Sequence, residues 1–195
     1  LDPGDEVIVD NPCWVSYPEM VRMAGGVPVM VRGCEENNFV VTADMLRPYV
    51  TDRTKALVIN TPNNPNGCIW SRAELQAIAD LAVERGFYVI SDEIYEKLIY
   101  DDEKHCCIAS LGPEIKKQAI IVNGVSKTYA MTGWRIGYAA GPKEIIKAMT
   151  SFQSHASSNA NSIAQYAAAT AISCGDKYIR SMIDEYNARR RLMYR

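Results

Sequence analysis

Short β-branched apolar runs alternate with segments of helical period along most of the chain. Val7 to Val9, Val27 to Val31, Ala56 to Asn60, Phe87 to Ile90, Ile120 to Val122 and Ile136 to Ala140 each have the length and composition of a buried strand. Between them, Trp14 to Ala24 has helical character and is stopped by Gly25-Gly26, and Thr42 can cap a short helix through Leu46. Ser71-x-x-Glu74 is a capping box; behind it Leu75, Ile78, Ala79 and Ala82 keep the 3.6-residue period of a core-facing helix to Glu84, and Gly86 ends it. Further on, a helix is predicted from Lys143 to about Phe152 behind Pro142, an alanine-rich one over Asn161 to Ser173, and a more charged one over Asp176 to Arg195. Three stretches break the pattern. Gly33 to Asn38 is a polar loop, Thr61-Pro62-Asn63-Asn64-Pro65-Asn66-Gly67 is turn chemistry throughout, and the acidic, irregular stretch Tyr100 to Pro113 reads as a surface excursion.

Strands alternating with helices through short loops predict an α/β fold with a mostly parallel sheet and helices on both faces. The simplest division is one domain over residues 1–175 with a trailing helix over 176–195. The chain opens without an initiator methionine on Leu1-Asp2-Pro3-Gly4-Asp5 and closes inside the arginine-rich run Tyr186 to Arg195, so it reads as an internal segment of a longer one.

Composition adds exclusions. With 195 residues, 48% apolar and 23% charged, the chain has the profile of a soluble globular protein with room for a core. A net charge of −2 gives no electrostatic footprint for nucleic acid or an anionic membrane, and no apolar run approaches the length of a membrane span. The six cysteines form no C-x-x-C pair and there are two histidines, so the usual zinc spacings cannot be assembled and no metal is expected. Scattered free thiols suit a reducing compartment, the cytoplasm.

The candidate chemistry sits where strands end. Trp14 follows the first strand, Asn64 the third, Asp92 and Tyr95 the fourth, and Lys127 and Arg135 lie around the turn after the fifth. In a mostly parallel sheet these ends share one edge, which is where α/β proteins bind ligands. Each residue also has a plainer use: Asn64 as a turn residue beside proline, Asp92 as a helix cap, Trp14 as core, Tyr95 as a helix-surface tyrosine, Arg135 in a salt bridge and Lys127 as a solvated charge. Ser126-Lys127-Thr128 looks like the end of a nucleotide-binding Walker loop, but that loop needs glycine where Ser126 and Ile121 stand, because backbone amides must wrap the phosphates free of Cβ atoms.

Taken together, Asn64-Pro65-x-Gly67, Ser91-Asp92-Glu93-x-Tyr95 and Gly124-x-Ser126-Lys127 through Arg135-x-Gly137-Tyr138 resemble the three successive signatures of the aspartate aminotransferase family, in its order and at about its spacing. The resemblance covers the whole chain. Asn11-Pro12-x-Trp14-Val15-Ser16-Tyr17 and Met131 to Tyr138 are most similar to the bacterial and archaeal subgroup.

The resemblance implies that pyridoxal 5'-phosphate is carried on Lys127, which also moves the substrate's proton as the catalytic residue. By the same resemblance Asp92 partners the ring nitrogen, Asn64 and Tyr95 hydrogen-bond the phenolic oxygen, Trp14 stacks on the ring and Arg135 clamps the phosphate, with Trp14 and Asn64 also touching substrate. Aspartate and 2-oxoglutarate are the implied amino acid and 2-oxo acid, in a homodimeric parent. Residues 1–175 would then be part of the large cofactor-binding domain, incomplete here, and 176–195 the start of the helix leading to a small C-terminal domain. The family's phosphate cup, partner-subunit tyrosine and carboxylate-binding arginine are not found in the chain, so the segment alone is expected to be inactive. Two other functions fit the same motifs: a C–S β-lyase and the ligand-sensing domain of a transcriptional regulator.

Overall fold

Six strands form one sheet in the computed structural model, which describes residues 1–194; Arg195, at which the last predicted helix ends, lies outside the described residues. They are β1 (Glu6–Asn11), β2 (Val27–Arg32), β3 (Thr54–Asn60), β4 (Tyr88–Asp92), β5 (Ala119–Gly124) and β6 (Gly137–Ala140), in the spatial order β2-β1-β3-β4-β5-β6. The first five are mutually parallel and β6 pairs antiparallel with β5. The helices are α1 (Ser16–Met23), α2 (Ala43–Leu46), α3 (Arg72–Arg85), α4 (Pro113–Lys116), α5 (Lys143–Ala156), α6 (Ser162–Ser173) and α7 (Arg180–Met193). The α/β architecture with a mostly parallel sheet is the one the alternation predicts.

Side chains on a strand point alternately to opposite faces, so continuous apolar strands need a cover on each side. Val7, Val9, Ala56 and Val58 pack on one face against Tyr17 and Val21 of α1. Ile8, Leu57, Ile59 and Val89 pack on the other, under Leu46 of α2, Leu75, Ile78 and Leu81 of α3 and Ile115 of α4. The predicted caps hold the second layer in place. Thr42 Oγ1 accepts from the Met45 amide at 3.3 Å, Ser71 Oγ accepts from the Glu74 amide at 3.3 Å, and the Glu74 carboxylate accepts in return from the Ser71 amide at 2.7 Å. Gly86 closes α3 at φ 76°, a conformation a β-carbon would oppose.

The excursion predicted over Tyr100 to Pro113 is corrected in its second half. Asp101 to Lys104 are exposed, but Ile108 is fully buried, with Cys106, Ala109 and Leu111 packed against the same core. His105 Nε2 lies 2.8 Å from Glu93 Oε2, and Ser91 Oγ donates to Glu93 Oε1 at 3.0 Å. The apolar run from Cys106 to Ala109, inside an otherwise acidic stretch, is what draws it inward. Most boundaries differ from the predicted ones by one to three residues; the larger differences are that α5 runs to Ala156 and that α7 begins at Arg180 after a tight turn over Gly175–Tyr178.

The C-terminal helices are thinly packed. Neither α5 nor α7 buries a residue, while α6 buries Ala164 and Ala168 against Val125 and Ile136. Among the described residues no helix is long and apolar enough to cross a membrane.

Candidate active site

Because β1, β3, β4 and β5 run parallel, their C-terminal ends lie on one edge, and those ends and the turns leaving them carry all six singled-out residues. The centre is the pair Asn60 and Asp92, opposite one another in register at the ends of β3 and β4. Asn60 is buried, and its side chain spans two turns: Nδ2 donates to the Asp92 carbonyl at 2.9 Å and Oδ1 accepts from the Asn64 amide at 2.8 Å. The Thr61 amide adds a second bond to the Asp92 carbonyl at 3.1 Å. The turn carrying Asn64 is thereby tied to the strand that ends in Asp92.

Asp92 is half-buried and both carboxylate oxygens are engaged. Oδ1 accepts from the Ile94 amide at 3.1 Å, and Oδ2 accepts from the Tyr17 hydroxyl at 2.7 Å. The first bond is the local capping use expected of an aspartate at a strand end, although tight turns rather than a helix follow it. Burial, and then the Asp92 charge, push the Tyr17 phenol far above its ordinary value, so it remains a donor. A carboxylate offers about four lone-pair sites, so Asp92 can accept from a further donor.

Trp14 is not core. It is 40% exposed and stands edge-on to Tyr17, with centroids 5.4 Å apart and planes at 86°. Asn64, Tyr95, Ser126 and Lys127 line one cleft of about 970 Å³ between the turn after β3, the turn after β4 and the turn after β5. Burial and the Asp92 charge raise the Tyr95 phenol, while the Asn64 side chain acts in the opposite direction. Lys127 Nζ stands 5.9 Å from the Tyr95 ring centroid, is exposed and makes no ion pair among the described residues.

The lysine turn starts where β5 and β6 come into close contact. A β-carbon on Gly124 would lie 2.8 Å from the Ile136 carbonyl oxygen, so glycine is required there. The Ala130 amide then donates to the Lys127 carbonyl at 3.2 Å, closing the turn that carries the lysine. Arg135 sits apart from the cleft-lining set. It is exposed, has φ 55°, donates from one guanidinium nitrogen to the Thr132 carbonyl at 2.7 Å, and lines a neighbouring hollow with Gly133, Trp134, Asn161 and Ala164.

So Asn64, Tyr95 and Lys127 are brought to one cleft and Asp92 and Trp14 are linked through Tyr17, whereas Arg135 is one turn away. Tyr17 and Asn60 were not among the expected site residues. Tyr17 lies three positions after Trp14, in the first turn of α1, where its amide donates to the Trp14 carbonyl at 3.1 Å, and Asn60 is the polar residue closing an apolar strand.

The aminotransferase class I and II family profile matches residues 1–195. The chain is 53% identical over 194 residues to the aspartate aminotransferase of Geobacillus stearothermophilus, covering all of this chain and 49% of that protein. It superposes on the aspartate aminotransferase from Thermus thermophilus solved with maleate at a TM-score of 0.91 and 47% identity, covering 100% of this chain and 50% of the other. The aromatic aminotransferase from Pyrococcus horikoshii gives a TM-score of 0.93 at 43% identity, with 100% and 52% covered. The chain thus spans about half the length of the relatives it matches.

Proposed function

The chain belongs to the aminotransferase class I and II family, and from that membership we propose that its cleft is the pyridoxal-phosphate site of a transaminase acting between an amino acid and a 2-oxo acid. The observation that carries the reading is the grouping of Lys127, Tyr95 and Asn64 around one cleft beside the fixed carboxylate of Asp92. The donor set suits the group: a primary amine, a carboxylate with unused lone pairs, and a phenol and an amide side by side. When bound, pyridoxal phosphate supplies an aldehyde that couples to amines and a ring that accepts electrons.

The residues then divide the work. Lys127 would hold the cofactor through its amine, and the same amine would serve as the base for the proton on the substrate's α-carbon. Asp92, held by Tyr17 and the Ile94 amide, accepts from the protonated ring nitrogen, and keeping that proton on over two further pKa units corresponds to about 2.7 kcal/mol. Tyr95 and Asn64 hydrogen-bond the phenolic oxygen. Trp14 packs against the ring face, and Arg135, with donors to spare beyond Thr132, takes the phosphate.

Aspartate with 2-oxoglutarate is the substrate pair we favour, because the relatives named above include two aspartate aminotransferases. The same reading has the intact protein working as a homodimer in the cytoplasm, with residues 1–175 in its large domain and 176–195 leading to a small one. It also expects this segment alone to bind the cofactor weakly and not to turn over. The test is chemical. Borohydride added to the intact protein with pyridoxal phosphate should fix the cofactor to the Lys127 peptide, and recovery of the label on another residue would remove the proposal. A kinetic panel checks the substrate: a preference for a neutral amino acid would displace aspartate.

A further inference from the structure

Asp10, the penultimate residue of β1, is a buried acid that the scheme above leaves without a task. It is 2% exposed and shares its strand face with Ile8 and, further back, Glu6. Its one side-chain partner is Asn63, whose Nδ2 donates to Asp10 Oδ2 at 3.0 Å. The other oxygen of each side chain, Asp10 Oδ1 and Asn63 Oδ1, is buried with no hydrogen-bond partner. Two orphaned acceptors on two side chains that already share one bond pose a single problem, since a buried acceptor left unpaired is costly and a buried unpaired charge more so.

We propose that Asp10 is a neutral carboxylic acid in the folded chain, giving its Oδ1 proton to Asn63 Oδ1 in return for the Nδ2 bond, and that this two-bond clasp is a positioning element for the turn bearing Asn64. A carboxylic acid and a primary amide each present one donor and one acceptor side by side, so one proton satisfies both orphaned atoms. Turning the Asn63 amide over would instead set its oxygen against Asp10 Oδ2.

The surroundings favour the neutral form. The ionisable groups that feel Asp10 are Tyr17 on α1, Cys13 between β1 and α1, and Cys68 in the turn after β3. All three are acids pushed upward chiefly by burial, and among the described residues no lysine, arginine or histidine pairs with Asp10. Burial pushes the Asp10 carboxyl up to about 7, outweighing its own backbone N–H and the Asn63 amide, which pull the other way. The clasp closes the base of a loop: the Asn63 amide donates to the Cys68 carbonyl at 2.9 Å, and the Asn63 carbonyl accepts from the Gly67 amide at 2.9 Å. Asn64 follows directly, so what holds Asn63 sets where Asn64 stands in the cleft.

A folded-state value above the ordinary 3.8 means the fold binds the extra proton, so stability falls as pH rises from about 4 to about 7 and levels above that. The positioning role rests on the proposed cofactor site; the protonation state does not. The test labels aspartate carboxyls with ¹³C in the folded chain and assigns Asp10 by loss of its signal in Asp10→Asn. The expected midpoint is near 7, and a midpoint below about 5, in the ordinary carboxylate range, overturns the proposal. Asp10→Asn can keep both bonds at any pH, while Asp10→Ala cannot. Relative to Asp10→Asn, the wild-type melting temperature should drop between pH 4.5 and 7 and then run parallel, with Asp10→Ala low throughout; equal pH dependence in wild type and Asp10→Asn also overturns it. For the positioning role, the affinity for pyridoxal phosphate of wild type relative to Asp10→Asn should fall several-fold as pH passes 7. A flat ratio alongside a carboxyl titrating near 7 removes that role. Failure of both forms to bind the cofactor at any pH counts against the cofactor site and leaves the carboxyl titration to decide the acid.

Discussion

The two sides of the cleft are built differently. On the side formed by β1, β3 and β4, Asp92, Asn64 and Tyr17 are held by a chain of hydrogen bonds centred on Asn60, most of it withdrawn from solvent. On the side formed after β5, Lys127 in the cleft and Arg135 in the neighbouring hollow are exposed, and among the described residues one bond from Arg135 to a carbonyl is the main restraint on either side chain. The residues assigned to stay put are thus fixed by backbone groups they do not choose, while the residue assigned to move a proton has room to swing. Substitutions on the fixed side should register in stability and in cofactor binding together. Those on the open side should register in chemistry or binding alone.

The largest expected effect is at Lys127. Lys127→Ala removes an exposed side chain that makes no ion pair among the described residues, so melting should shift by no more than the equivalent of about 0.5 kcal/mol. Transamination by the intact protein should fall by at least the roughly 10²–10⁴-fold worth of positioned proton transfer, and borohydride should no longer attach the cofactor. A variant that unfolded as well as losing activity would break the contrast, because it would place Lys127 among the structural residues.

Asn60→Ala comes next and should behave in the opposite manner. It deletes bonds to the Asn64 amide and the Asp92 carbonyl, of which the latter keeps the Thr61 amide, and the expected cost is about 2–4 kcal/mol in denaturant unfolding. Cofactor affinity should drop in step, because Asn64 and Asp92 lose their common anchor. Normal stability would show that the strand ends hold these turns without it.

Arg135→Ala sharpens the comparison from the open side. Loss of a charge-assisted contact to a phosphate should weaken cofactor binding by about 1.5–3 kcal/mol, measured by titration, with melting unchanged since the side chain is exposed. Unchanged cofactor affinity would instead place the phosphate contact elsewhere.

The difference between the two sides also explains what could be read from the sequence. The sheet was legible because Val7 to Val9, Ala56 to Asn60 and Phe87 to Ile90 are apolar without interruption and bounded by turn residues, and the edge carrying the site followed from parallel order. Lys127 and Arg135 were legible as residues out of place, a charge at the end of a buried strand and another flanked by glycines. The restraints on the fixed side were not. Asn60 acts through bonds to backbone atoms 4 and 32 positions away, and Tyr17 reaches Asp92 across 75. Such pairings depend on which strands end up adjacent, and no local period encodes that. His105 escaped for a similar reason, since its partner Glu93 was visible only as a neighbour of Asp92 in the signature, and the excursion between them looked like solvent-facing chain.

Tyr17→Phe is the smallest expected effect and the closest test of what fixes the carboxylate. The ring is buried with Val9 and Val58 and stands edge-on to Trp14, contacts that phenylalanine retains, so the change isolates one hydroxyl donating to Asp92 Oδ2 at 2.7 Å. A hydrogen bond to a charged group is worth about 1.5–3 kcal/mol, but Asp92 is only half-buried, so water can replace the lost donor, and the Ile94 amide still holds Oδ1. The expected loss is therefore about 1 kcal/mol in unfolding, with less than a tenfold weakening of cofactor binding. If Tyr17→Phe costs as much as Asn60→Ala, the carboxylate is positioned by its side-chain donor rather than by its main chain, and the fixed side is held from α1 instead of from the strand ends. If it costs nothing in either measurement, the hydroxyl is a passenger and the Asn60 bridge, with the Ile94 amide, is sufficient to aim Asp92 at the cleft.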